Sequence, residues 1–169
     1  FLWRDLPGGL VPPGWYSPEE LAVFRLSSKN HADIPIEIAP GREFHLLASH
    51  PTPPTFDGPE DRNGRRNHDE IRFWADYLDP ARATYHRDDA GIPGGLPTGA
   101  RFVIAGDYNA DPTRGESVAG AARQFTEHRL IDNSFVPSAS LFGSASTNTA
   151  NFSGGLRVDY VLPSQAGFG

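Results

Sequence analysis

The pattern of apolar and polar residues along the chain predicts strands interrupted by two helices. Residues 34–38 alternate with the two-residue period of a strand, and Pro35 places that strand at the edge of a sheet. The other segments that predict strands are 21–27, 42–49, 101–105 and 156–162.

Helical periodicity appears in two further segments. Within residues 66–78, apolar side chains recur at positions i, i+3, i+4 and i+7, which is typical of an amphipathic helix that ends before Pro80. Residues 116–128 predict a second helix. Because the strands do not alternate strictly with helices, we predict an α/β fold in the broad sense, either α+β or a layered α/β sandwich.

Composition narrows the class of protein. The chain has 169 residues, of which 38% are hydrophobic and 21% charged, as expected for a globular chain and not for a disordered tail. No apolar run approaches the ~20 residues of a membrane-spanning helix, which excludes a transmembrane protein. The net charge of −6 argues against a protein that binds nucleic acid through charge alone. It does not argue against an enzyme whose metal ion supplies the positive charge.

Two residue types are missing from the chain. The absence of cysteine excludes disulfides, zinc–thiolate sites and a thiol nucleophile, and it is compatible with a secreted or periplasmic protein. The absence of methionine, with Phe1 as the first residue, leads us to expect a processed product or an incomplete part of a longer protein.

Residues 102–111 carry the first candidate chemistry. An apolar strand delivers Asp107 and Asn109 at its end, where a carboxylate can hold a metal ion or a water and an amide can donate to an oxyanion. A simple turn, in which both side chains cap the backbone, fits the spacing equally well. A calcium-binding loop does not fit, because Pro112 and Val118 stand where that loop needs glycine and glutamate.

Other polar positions are also candidates for a site. His50 follows the strand 42–49 and can be a general acid, an oxyanion donor or an ordinary edge residue. Arg66 and Asn67 begin the predicted helix and can contact phosphate, although the pattern favours Asn67 as a helix cap. Asp159 interrupts an apolar strand, so we expect it to be buried beside an arginine, a histidine or a metal ion.

Taken together, the candidate residues form four motifs in a set order. These are Ser-His at 49–50, Arg-Arg-Asn-x-Asp at 65–69, Gly-Asp-x-Asn at 106–109 and Arg-x-Asp-Tyr at 157–160. Over roughly residues 21–164 the chain thereby resembles the endonuclease/exonuclease/phosphatase superfamily. That group includes deoxyribonuclease I-like nucleases, exonuclease III-like repair enzymes, neutral sphingomyelinases and inositol polyphosphate 5-phosphatases. The first two motifs look most like the phosphatases, and the last looks like the nucleases.

The resemblance implies a fold, a reaction and a set of roles. The fold would be a four-layer α/β/β/α sandwich, and the reaction would be hydrolysis of phosphoesters by water with Mg²⁺, or with Mn²⁺ or Ca²⁺. Asp107 would bind the metal ion and orient or deprotonate the water, and Asn109 would contact the phosphoryl oxygens and the nucleophile. His50 would stabilise or protonate the leaving oxygen, and Asp159 would orient a catalytic histidine late in the chain. Further phosphate contacts would come from Arg66 and Asn67.

The resemblance also leads us to expect that residues 1–169 are the C-terminal part of one such domain. The family's metal-binding glutamate lies in an N-terminal half, and its closing Ser-Asp-His motif follows the last strand. We therefore expect the missing half of the domain as a partner. A polypeptide of these residues alone is expected to be inactive and poorly stable.

Two other functions fit the sequence. The same sandwich could be a binding module without catalysis, and Trp3, Trp15 and Trp74 with polar loops could belong to a sugar-binding protein. The presence of all four motifs together favours the hydrolase. The candidate substrates are small phosphodiesters, inositol phosphates, phospholipid head groups and nucleic acid, since the chain has no basic stripe for duplex DNA.

Overall fold

A computed structural model describes residues 1–141 and 144–167 of the chain. The helices are α1 (Pro18–Leu21), α2 (Arg62–Tyr77) and α3 (Arg123–Thr126), with short 3-10 helices at Trp3–Asp5 and Ala83–Tyr85. The strands are β1 (His31–Ala39), β2 (Arg42–Ser49), β3 (Phe102–Asp107), β4 (Ala139–Leu141), β5 (Ser144–Ser146) and β6 (Asp159–Pro163).

Four of the strands form one mixed sheet in the order β1–β2–β3–β6. β1 and β2 are an antiparallel pair, β2 and β3 run parallel, and β6 is antiparallel to β3. Pro35 lies in β1, which is an edge strand of this sheet and pairs only with β2 within it. On the outer side of β1, the missing N–H of proline therefore removes no hydrogen bond between strands. The mixed sheet with few helices agrees with the predicted α/β class.

The larger core lies between this sheet and α2. The apolar positions predicted for the helix are all buried there: Ile71, Trp74, Ala75 and Leu78. Their partners include side chains on one face of the strands: Leu47, Phe102, Ile104, Tyr160 and Leu162. The helical periodicity therefore predicted both the element and its buried side correctly.

The opposite face of the same sheet is apolar and open to solvent. Side chains alternate across a strand, so the residues between the core positions point to this face. They include Ile34, Leu46, Val103 and Val161, of which Leu46 stands opposite Ile34 in the β1–β2 register. Val161 is 74% exposed, although its neighbours Tyr160 and Leu162 are buried.

A second, smaller core attaches the N-terminal segment to the other side of α2. It is built from Trp3, Leu6, Leu26 and Phe73. Trp3 and Trp74 are thus core residues, and of the three tryptophans only Trp15 is exposed. This distribution gives no support to the sugar-binding interpretation.

Two predicted elements are wrong. Residues 21–27 do not form a strand, because Ser17 and Glu20 make a capping box that starts the short helix α1 and the chain then runs irregularly. The helix predicted at 116–128 is only the four residues of α3, since Gly120 adopts a φ of +88° and interrupts it. Within the described residues, no helix is long and apolar enough to cross a membrane.

Buried histidines make the fold sensitive to acid. Burial lowers the pKa of His31 and of His86, and the Nε2 atoms of these rings donate to the carbonyls of Glu70 and Phe73. An unfolded histidine titrates near a pKa of about 6.5, so below that pH the unfolded chain binds protons that the folded chain does not. Stability must then fall as the pH decreases.

We expect the free energy of unfolding, measured in urea, to decrease from about pH 7.5 to about pH 5.5 by up to about 1.4 kcal/mol per pH unit for each such histidine. His31→Gln, whose amide can still donate to the Glu70 carbonyl, should reduce this slope. A free energy of unfolding that stays constant or rises toward pH 5.5 would contradict the assignment.

Candidate active site

The predicted site residues on the strands meet at one edge of the sheet. His50 directly follows β2, Asp107 is the last residue of β3, and Asp159 is the first residue of β6. The His50 Nε2 atom lies 3.6 Å from the Asp107 Oδ2 atom. Asp159 stands directly opposite Asp107 in the antiparallel β3–β6 register, so both carboxylates are on the same face of the sheet.

A glycine allows the ends of β2 and β3 to approach each other. A Cβ atom built on Gly106 would lie 2.1 Å from the carbonyl oxygen of Ser49, which no real contact permits. Only glycine therefore lets Ser49 and the following His50 come this close to Asp107. The glycine of the Gly-Asp-x-Asn motif thus meets a packing requirement.

Asn109 closes a tight turn after β3. It adopts a left-handed φ of +52°, and its backbone N–H donates to the Asp107 Oδ1 atom at 2.9 Å. Its side-chain Nδ2 atom donates to the Pro51 carbonyl at 3.1 Å, in the loop that follows His50. The turn interpretation of this motif is therefore confirmed, and a role of these side chains in a site stays a prediction.

The loop that continues from Asn109 is tied to the entry of β6 by Asp111. Burial would raise the pKa of Asp111, but hydrogen bonds from the amides of Arg157 and Thr113 outweigh it and lower that pKa. The Arg157 amide donates to the Asp111 Oδ2 atom at 2.8 Å. The ionised carboxylate of Asp111 thus holds the loop after β3 close to the residues that precede Asp159.

The environment of Asp159 differs from the expectation. Its side chain is exposed on the open face of the sheet, and the part of the chain described by the structure gives its carboxylate neither a hydrogen bond nor an ion pair. The buried members of this motif are instead Arg157 and Tyr160, with the guanidinium 4.7 Å from the ring centre. The predicted burial of Asp159 was wrong because the strand starts at this residue and only alternate positions face the core.

Arg66 and Asn67 lie on α2 but point to different partners. Arg66 donates from Nε to the Leu26 carbonyl at 2.8 Å and from Nη2 to the Arg25 carbonyl at 2.7 Å, so it holds the N-terminal segment. No contact in the described residues joins Arg66 to His50 or Asp107. Its phosphate-binding role stays a prediction.

Asn67 lies beneath the site and is completely buried. Its Nδ2 atom donates to the carbonyl of Thr52 at 2.8 Å and to that of Tyr108 at 2.9 Å. Because α2 already begins at Arg62, the interpretation of Asn67 as a helix cap was wrong. A phosphate contact from Asn67 also stays a prediction, and both hydrogens of its amide group are engaged with protein carbonyls.

The sequence analysis missed Glu70. This side chain is 1% exposed, and its Oε2 atom accepts a hydrogen bond from the Thr52 amide at 2.6 Å. Its Oε1 atom accepts from the amide and the hydroxyl of Ser28. The available signal was a carboxylate inside a helix, close to the apolar residues Ile71, Phe73 and Trp74.

The described residues give a metal ion only a partial set of ligands. They contain no group of three or more histidine, aspartate or glutamate side chains placed to hold one. Asp107 and Asp159 nevertheless face each other across β3 and β6, and like charges directly opposite destabilise a sheet. A cation beside this pair would remove that repulsion, and oxygen ligands suit a hard divalent ion. The two carboxylates therefore fit part of such a site.

The left-handed conformation of Asn109 predicts a difference between two substitutions. Asn109→Ala and Asn109→Gly both remove the hydrogen bond to Pro51, but only alanine has a Cβ that opposes a φ of +52°. We expect Asn109→Ala to lower the free energy of unfolding by about 1 kcal/mol more than Asn109→Gly, measured in urea. Equal losses, or a larger loss for glycine, would show that the backbone at this position is not left-handed.

Comparison with known proteins agrees with the motifs. The model of the Endonuclease/Exonuclease/phosphatase family matches residues 14–169, which includes every site residue described above. Comparison with curated proteins and with solved structures finds no match. Because the family match covers most of the chain, the resemblance found in the four motifs is confirmed, and the chain belongs to the endonuclease/exonuclease/phosphatase family.

Proposed function

We propose that this chain carries part of the active site of a metal-dependent phosphoester hydrolase. The family is hydrolytic in general and acts on phosphoesters or nucleic acids. The observation that supports the proposal most is the convergence of His50, Asp107 and Asn109 at one edge of the sheet. An acid, a carboxylate and an amide are the groups needed to protonate a leaving oxygen, orient a water and bind a phosphoryl oxygen.

In the proposed reaction, each side chain has one task. Asp107 orients the attacking water and accepts one of its protons, while the water oxygen forms a bond to phosphorus and the ester oxygen leaves. His50 donates the proton of its Nε2 atom to that leaving oxygen. The separation of 3.6 Å from Asp107 exceeds hydrogen-bond length, so this N–H is available to a substrate. Asn109 supports the transition state through its amide group.

A divalent ion belongs to the proposal, and Mg²⁺ is the first candidate, with Mn²⁺ and Ca²⁺ as alternatives. Asp107 would hold it, and Asp159 faces the same position from the neighbouring strand. Such an ion neutralises charge on the phosphoryl oxygens when it is bound. In the proposed site, Asp159 would also orient a histidine from another segment, as the family resemblance implies.

The activity is tested in the natural polypeptide that contains these residues. We expect hydrolysis of bis(p-nitrophenyl) phosphate or p-nitrophenyl phosphate that requires Mg²⁺ and stops with EDTA. Asp107→Asn should lower kcat/KM by on the order of 100-fold or more, since it weakens both the orientation of water and the affinity for the ion. The better of the two esters indicates whether the natural substrate is a diester or a monoester.

A matched control is Asp89→Asn, which removes a carboxylate from an exposed loop. The structure gives Asp89 no hydrogen bond or ion pair within the described residues, and its removal should leave turnover unchanged. If the polypeptide hydrolyses neither ester, or if activity is indifferent to Asp107, the hydrolase proposal is wrong and a binding module becomes the better explanation.

We further propose that a second sheet covers the open face of the first, which would complete a four-layer sandwich. The support is the apolar character of that face at Ile34, Leu46, Val103 and Val161. A face of this kind in contact with water is unfavourable, and sheets pack on one another at about 10 Å through such faces. The residues that form the covering layer would lie outside the chain described here.

The second sheet predicts a large effect at Val161. In the natural polypeptide, Val161→Asp should lower the free energy of unfolding by roughly 3 kcal/mol or more, because it would bury an unpaired charge. Ile92→Asp is the control, since Ile92 is an exposed apolar residue in a loop outside the sheet. If both substitutions have the same small effect in thermal or urea denaturation, the face is not covered.

A further inference from the structure

Two buried side chains of α2 hold the backbone of the loops that carry the site residues. Glu70 accepts the Thr52 amide, and Asn67 donates to the Thr52 carbonyl and to the Tyr108 carbonyl. Thr52 follows His50 by two residues, and Tyr108 follows Asp107 directly. One helix therefore touches both loops, close to the side chains that meet across them.

We propose that Asn67 and Glu70 are positioning residues that set the geometry of His50 relative to Asp107. This inference rests on the proposed hydrolase, because it assigns these residues an effect on turnover. Neither side chain needs to touch the substrate. Both side chains are buried, and both act by hydrogen bonds to the main chain of the loops.

The loop after β2 begins with residues that have only one backbone hydrogen-bond donor, and Glu70 accepts the hydrogen bond from that donor. Residues 51–54 read Pro-Thr-Pro-Pro, and proline has no backbone N–H. The Thr52 amide is therefore the only backbone donor in these four residues. Glu70 accepts it at 2.6 Å in a buried environment, and no neighbouring amide can replace this bond.

Asn67 sets the separation of the two loops. Its single Nδ2 atom reaches both the Thr52 carbonyl and the Tyr108 carbonyl, which identifies the nitrogen end of the amide, since carbonyls only accept hydrogen bonds. Two carbonyls shared by one NH₂ group cannot move apart without the loss of a buried hydrogen bond. Asn109 also joins the two loops, because its side chain donates to the Pro51 carbonyl.

Helix α2 also offers a matched control for Glu70. Asp69 is the preceding residue and is fully buried, and its Oδ2 atom accepts hydrogen bonds from Trp3 Nε1 at 2.7 Å and from the Leu10 amide at 2.6 Å. These partners belong to the N-terminal segment and not to the site loops. Asp69→Asn and Glu70→Gln therefore each neutralise one buried carboxylate of the same helix, but only the second disturbs the His50 loop.

The test compares these two variants in the natural polypeptide with Mg²⁺ and the better of the two nitrophenyl esters. The glutamine amide has a single accepting oxygen, and the two donors of Ser28 favour that oxygen on their side, so the NH₂ group faces the Thr52 amide and this contact is lost. We expect Glu70→Gln to lower kcat by roughly 10-fold to 100-fold with KM changed by no more than about twofold, because small displacements of reacting groups act on the chemical step. Asp69→Asn should lower the melting temperature comparably but leave kcat within about twofold of the unmodified protein.

The outcomes separate this inference from the proposed function. Equal losses of kcat in both variants, or full kcat in Glu70→Gln, would overturn the positioning role while leaving the hydrolase intact. An active protein that is indifferent to Asp107→Asn would instead remove the proposed function, and the positioning role with it.

Hydrogen exchange gives a readout that does not depend on activity. A peptide spanning residues 50–54 has the Thr52 amide as its only donor within the proline run. We expect this amide to exchange as slowly as the amides of β2, although it lies outside regular structure, and to exchange faster in Glu70→Gln but not in Asp69→Asn. Fast exchange at Thr52 in the unmodified protein would overturn the proposal.

Discussion

The structure depends on the way in which α2 satisfies the hydrogen bonds of irregular backbone around it. Loops that pass close to a core carry amides and carbonyls that cannot reach water, and each one left unpaired costs about 1–3 kcal/mol. In this chain, Asn67, Asp69 and Glu70 supply partners from within the helix. A helix with a purely apolar buried side could hold the sheet but not these loops.

The helix therefore has two kinds of buried surface. One side is apolar and packs on the sheet. The other combines Phe73 of the smaller core with polar side chains that hold the N-terminal segment and the loop after β2. The arginines of this helix take part as well: Arg66 binds the carbonyls of Arg25 and Leu26, and Arg72 binds those of Pro7 and Gly8. Most of the motif around residues 65–72 thus has an architectural explanation, and the groups proposed to act on a substrate lie instead at the strand ends.

The sequence predicted those elements in which apolar side chains recur with a regular period. The i, i+3, i+4 spacing of Ile71, Trp74 and Ala75 identified α2 and its buried side, and the apolar run that precedes Asp107 identified β3. Each of these signals is local, because helical and strand periods are set by neighbouring residues.

What the sequence could not predict depends on contacts between distant residues. Glu70 was missed because its partners, Ser28 and Thr52, lie 42 and 18 positions away. Asp159 was expected to be buried because its neighbours are apolar, but only the register with β3 shows that it faces outward. The extended helix predicted at 116–128 did not allow for the left-handed backbone of Gly120, which periodicity alone does not reveal.

The central claim is that the ends of β2, β3 and β6 form one site for a divalent ion and a phosphoryl group. It is tested most directly by a crystal structure of the natural polypeptide soaked with Mn²⁺ and inorganic phosphate, with the ion located by its anomalous scattering. We expect an anomalous peak within coordination distance of an Asp107 carboxylate oxygen, with phosphate next to Asn109 and His50. A manganese ion bound only elsewhere, or phosphate held away from this edge of the sheet, would contradict it.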